Sequence, residues 1–217
     1  MKRTGMIFLA VWTAFLMCLA PLPASAENAW SQSIGSYAKA DDGTGGRGLL
    51  MLKPLDEGCV LFDLSVSQTG SDSEQNVNYR VAGIFLIDED ERGLWEDRES
   101  GQKLSFSRYR SRVTVNASEP LPGILNGKYD YCSAAVNGTQ PMLESFINYL
   151  PAFKTGLSAK ENYQVRDVSD NFGEYRKILF VLSDGRVQAF WASPSLNQVL
   201  RIEGDKGVVI YQENTEK

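Results

Sequence analysis

Between Arg47 and Tyr131 the apolar residues come in short runs, at 49–52, 60–66, 77–87, 104–109, 113–115 and 129–131, parted by polar or Gly/Pro-containing breaks. Within 59–67 the apolar set Val60, Phe62, Leu64 and Val66 alternates with Asp63 and Ser65. A period of two collects one set of side chains on one face of an extended strand, and runs this short are strand-length. The pattern predicts an antiparallel meander, closed as a sandwich or a small barrel.

Beyond Asn137 the period changes. Met142, Leu143, Phe146, Ile147 and Leu150 fall at helical offsets, Pro141 suits a first turn and Pro151 stops the segment, so one helix is predicted over 141–150. After a polar connector, strands return at 178–182 and 187–191 around Asp184-Gly185, a hairpin signal. Read as a two-residue turn, this sets Leu182 opposite Val187, Phe180 opposite Ala189 and Ile178 opposite Trp191, which places Phe180 and Trp191 on one apolar face. Both faces of the hairpin are apolar and both need cover, the helix for one and the first β-module for the other. A second hairpin joins 199–202 to 208–211 through Gly204-Asp205-Lys206-Gly207. The fold class is therefore mainly β: an antiparallel β sandwich or small barrel at 27–132, then an α+β module at 133–217, with one helix packed on antiparallel hairpins and a boundary near 132–140.

The first 26 residues read as a cleaved secretory signal. Lys2 and Arg3 precede an apolar run from Met6 to Ala20, Pro21 and Pro23 break it, and Ala24-Ser25-Ala26 offers an A-x-A site before Glu27. The run is short of the roughly 20 residues a spanning helix needs, so no stable membrane anchor is expected after cleavage. The destination is periplasmic or secreted. Cys18 leaves with the signal, and Cys59 and Cys132 remain in an oxidising compartment. Both have outward parity on their strands, so a Cys59–Cys132 disulfide is expected if those strands are neighbours. Closing about 70 residues, it would stabilise by roughly 4 kcal/mol.

Lys and Arg number 22 against 27 Asp and Glu, a net charge of −5, and removing the two leader cations makes the remainder more acidic still. Such a chain is a poor nucleic-acid binder. Histidine is absent, which excludes Ser-His-Asp and Cys-His catalysis and His-ligated zinc. Gly43-Thr44-Gly45-Gly46-Arg47-Gly48 matches a dinucleotide-loop string, but no apolar strand precedes it and no helix follows, so it reads as a flexible loop before the first strand. Ser36-x-x-Lys39 and Ser100-x-x-Lys103 have the spacing for a lysine-activated serine without the amphipathic helix that chemistry requires. No catalytic residue, metal site or cofactor is therefore assigned.

The most unusual string runs from Asp88 to Glu99. Asp88, Glu89, Asp90, Glu91, Glu96, Asp97 and Glu99 are acidic, against Arg92 and Arg98, and Trp95 sits among them. On a calcium loop, Arg92 would fall at a ligand position and repel the metal, so the string reads as an acidic hairpin tip. It is the candidate partner-binding surface, with Trp95 either an anchor or a cap on the β-core.

Gly48 to Leu52, Gly83 to Asp88, Leu104-x-Phe106, Val113-x-Val115 and Gly127-x-Tyr129 together carry a resemblance. On these strand and turn marks the first module resembles small β-domains of bacterial periplasmic proteins, including some of the lysozyme-inhibitor kind. The resemblance covers less than half of the chain and implies a small β-fold more than an activity. The expected function is that of a secreted periplasmic, non-enzymatic binding protein with a cationic protein partner, an inhibitor of a cationic cell-wall hydrolase being its concrete form. The rivals are a structural or accessory envelope protein and a histidine-free carboxylate hydrolase.

Overall fold

The computed structural model describes residues 30–40, 46–55, 58–69, 76–150, 163–172, 175–182, 187–203 and 206–213. The leader read at 1–26 and the Asp184-Gly185 turn lie outside the described residues. Eight strands, β1 (Gly35–Lys39), β2 (Gly46–Pro54), β3 (Cys59–Thr69), β4 (Asn76–Ile87), β5 (Gly93–Asp97), β6 (Gln102–Tyr109), β7 (Arg112–Ser118) and β8 (Gly127–Ser133), pair antiparallel in chain order. Pairing of β8 with β1 closes them into a barrel.

The period-two pattern fills that barrel. Val60, Phe62, Leu64 and Val66 point inward with Leu50, Leu52, Phe85, Leu104, Phe106, Val113, Val115 and Tyr129, all in one buried cluster. An eight-strand barrel is about wide enough for side chains alone. Here Phe85 stacks on Phe106 with ring centroids 4.4 Å apart, and Phe62 lies 5.0 Å from Phe106. The interior is thus a packed core, which leaves the outer wall and the two rims as surfaces for recognition.

The sequence places no strand at 37–42 and a flexible loop at 43–48, whereas the structure puts the end of β1 at 37–39 and the start of β2 at 46–48, with 41–45 outside the described residues. One inward aromatic suffices for so short a strand: Tyr37 is buried, with its hydroxyl donating to Ser33 O at 2.9 Å. Gly48 lies within β2, where a Cβ would come within about 3.1 Å of both Val66 and Tyr129. Its hydrogen side chain lets the wall close over those two residues.

After β8, α1 (Gln140–Tyr149) precedes an antiparallel sheet in the order β9 (Tyr163–Phe172), β10 (Tyr175–Leu182), β11 (Val187–Ala192), β12 (Gln198–Glu203) and β13 (Lys206–Gln212). The helix packs against β3 and β4. Its Met142, Leu143, Phe146 and Ile147 form one buried cluster with Met51 and Leu61 of the barrel wall and with Ile178, Phe190, Ala192 and Val199 of the second sheet. Phe146 meets the Tyr211 ring edge-on at 5.0 Å. Barrel wall, helix and sheet therefore share a second core.

Two expectations for the second sheet need correction. Observed partners are Val181 with Val187, Leu179 with Ala189, Ile178 with Phe190 and Lys177 with Trp191, one residue out from a two-residue turn. A one-residue slip exchanges faces. Ile178 and Phe190 thereby enter the second core together, while Trp191 joins the opposite face under Lys177 Nζ, 4.9 Å from the ring centroid. The side chain of Phe180 lies outside the described residues. The second core's demand for Ile178 beside Phe190 prevails over the local turn signal. Nor does the barrel cover that opposite face, where Val187 and Val209 stay about half exposed. The barrel wall offers its apolar stripe of Met51, Leu61 and Ile84 to the helix, on the near side of the sheet.

Candidate functional site

The β4–β5 connection at 88–92 lies at the barrel end where β1 begins. Asp88 Oδ1 accepts the main-chain N–H of Asp90 at 3.0 Å and of Arg92 at 2.8 Å. The Asp88 N–H donates to Arg92 O at 2.8 Å, and the Glu91 N–H to Asp88 O at 3.1 Å. An aspartate that folds its own backbone into a turn spends its carboxylate on structure. Glu91 adopts a left-handed φ of 59°, and its carbonyl accepts the indole N–H of Trp30 at 2.8 Å. Trp30 is buried and packs edge-on against Phe85 at 5.1 Å. The loop is thereby held from within and from below, and Glu89, Asp90 and Glu91 project exposed from it.

The rest of the acidic run does not join them. Residues 93–97 form β5, so the next turn, at 98–101, lies roughly 16 Å away at about 3.3 Å per residue. The single acidic tip of the sequence reading is two turns at opposite rims of the barrel. At the second, Asp97 bonds the Ser100 hydroxyl and, at 3.1 Å, the Glu99 N–H. The Ser100 hydroxyl first, then the backbone N–H groups, hold the Asp97 carboxyl below the usual carboxylate range. Glu96 pairs with Lys103 across the strands at 3.1 Å, both exposed, and Glu99 is exposed.

Trp95 is half-buried and turned inward. Its ring meets Phe62 edge-on at 5.6 Å, and its indole lies where a Cβ on Gly83 would come within 2.5 Å. β4 pairs with β5 only at Leu86–Leu94 and Ile87–Gly93, and the indole occupies the seam beyond those pairs. Of the two roles open to Trp95, the geometry shows the cap on the core.

The disulfide expectation fails. Cys59 opens β3 and Cys132 lies in β8, with β1 and β2 between them. Three strand spacings of about 4.8 Å exceed the roughly 7 Å limit on Cα separation. No disulfide joins the two residues, and Cys132 is exposed. The serine–lysine pairs also come apart: Ser36 Oγ donates to Ala135 O at 2.7 Å, while Lys39 Nζ donates to Ile124 O at 2.9 Å. Among the described residues, no cluster of three or more Cys, Asp or Glu has a metal-binding arrangement, and no helix is long and apolar enough to cross a membrane.

Two features of the acidic rim escape the sequence reading. One is Trp30, whose only signal is an isolated tryptophan in a polar stretch. The other is the Arg108-Tyr109-Arg110 string, which turns from β6 into β7 at the same rim and leaves Tyr109 70% exposed beneath the Arg110 guanidinium, 5.2 Å from the ring centroid. Beside it Arg112 grips Asp130 through two bonds of 2.6 and 3.0 Å. Those bonds hold the Asp130 carboxyl below its ordinary range and raise the guanidinium. Arg112 and Asp130 thus neutralise each other, while Asp88, Glu89, Asp90 and Glu91 gather negative charge in the 88–92 loop, where Asp90 lies 3.9 Å from Arg92, and Arg108 and Arg110 add cations at the same rim.

No family model, curated protein or solved structure matches the chain.

Proposed function

We propose that the chain is a non-enzymatic periplasmic binding protein that grips a cationic protein through the Asp88–Glu91 loop, acting as an inhibitor of a cationic cell-wall hydrolase. The observation that carries this reading is the loop's construction. Asp88 and the Trp30 bond to Glu91 fix the backbone, so Glu89, Asp90 and Glu91 are presented with little backbone ordering left to do at binding. A projecting acidic turn on a closed barrel steers a cationic partner and then docks with little rearrangement.

The test is association with a cationic muramidase at low and high salt, followed for the wild type and for the combined variant Glu89→Lys, Asp90→Lys, Glu91→Lys. The association rate at low salt should fall about tenfold or more, with wild-type binding itself weakened by salt. Circular dichroism should report an intact barrel. An unchanged rate at low salt would remove the loop from the binding model.

A further inference from the structure

We infer that the cleft between the 134–137 connector and the turn at 193–198 is a binding site for an uncharged, hydroxyl-rich ligand, namely a neutral oligosaccharide. This inference stands apart from the acidic loop and does not rest on it. The cleft has a volume of about 510 Å³ and is lined by Ile34, Asn137, Tyr175, Asn197, Gln198 and Glu213, among others.

Its walls are tied together. The Gly138 N–H donates to Pro194 O at 2.9 Å, which closes the connector onto the turn, and Ser36 holds the connector to β1 through Ala135 O. Within the turn, the buried Ser193 hydroxyl accepts the N–H groups of Asn197 and Gln198, each at 3.1 Å.

The polar side chains are held in one sense. Asn197 Oδ1 accepts the Ser193 hydroxyl at 2.6 Å, and Gln198 Oε1 accepts the Tyr175 hydroxyl. With both amide oxygens engaged, both NH2 groups remain as donors at the cleft. Glu213 supplies the acceptor: Oε2 lies 2.9 Å from Lys53 Nζ, and the side chain is 40% exposed with Oε1 left over. Lys53 is buried and also reaches Ser195 O at 3.4 Å. The ammonium cancels the carboxylate's charge, so the site attracts neither anions nor cations strongly. Two fixed donors and one fixed acceptor without net charge match a ligand whose groups both give and take hydrogen bonds, as sugar hydroxyls do, while Ile34 and the Tyr175 ring offer apolar surface for the C–H face.

The experiment is titration of the purified protein with chitotetraose and, separately, maltotetraose, followed by calorimetry and by NMR. Saturable binding of at least one, tighter than about 10 mM, is expected. Asn197→Ala and Gln198→Ala should each weaken it by up to about tenfold, with the fold checked by circular dichroism. Absence of saturable binding by either sugar would overturn the inference. So would binding that both variants leave unchanged, since the sugar would then sit elsewhere.

Discussion

The indole N–H of Trp30 donates to the carbonyl of Glu91 at 2.8 Å across 61 positions of sequence, joining the segment that leads into β1 to the loop between β4 and β5. The contact links a buried core aromatic to the exposed acidic turn. Trp30→Phe should keep an aromatic ring against Phe85 but lose the N–H donor and part of the indole's buried volume, at a cost of about 2 to 3 kcal/mol in urea unfolding. Amide hydrogen exchange at 88–92 should quicken in the same variant. Trp30→Ala should cost about 3 to 5 kcal/mol. Unchanged exchange in the loop of Trp30→Phe would show that the loop needs no support from below.

Gly83 and Trp95 share one space. Because a Cβ on Gly83 would stand 2.5 Å from the indole nitrogen, Gly83→Ala should destabilise by about 1 to 3 kcal/mol through overpacking. Gly83→Ala combined with Trp95→Leu should cost less than the two single changes added together, because the smaller side chain vacates the clash. Simple additivity in a double-mutant cycle would mean that the indole does not occupy the seam, and would restore Trp95 as a surface anchor.

Glu144 gives a pH dependence with a defined sign. It lies half-buried on α1, and burial raises its carboxyl above the ordinary 4.5. A folded value above the unfolded one means that the group favours folding fully below the unfolded value, and that this contribution is lost as pH rises through the folded value. Glu144→Gln, which stays neutral, should therefore raise Tm relative to wild type at pH 7 and lose that advantage near pH 3.5. Asp97 and Asp130 titrate below their ordinary range; their contributions are lost as pH falls through the folded values, equally in both proteins, and cancel from the difference. An equal gap at the two pH values would assign the effect to packing.

The sequence by itself determined what is local and periodic. Alternation at Val60, Phe62, Leu64 and Val66 decides which face of β3 is buried whatever the closure, and the 3.6-residue spacing of Met142, Leu143, Phe146 and Ile147 does the same for α1, because burial of one face follows directly from backbone geometry. Strands whose role is closure or seam-filling carry no such pattern. β1 contributes Tyr37, and β5 reads as acidic although Gly93 and Trp95 face the core; both strands exist because neighbours on each side satisfy their backbones. Only the tertiary structure decided that Cys59 and Cys132 sit three strand positions apart, that the acidic run divides between two rims, and that Trp191 leaves the face of Ile178. Each of these depends on which distant strands become neighbours and in what register, and register is set by summed packing across the whole sheet, where one residue of slip exchanges its two faces.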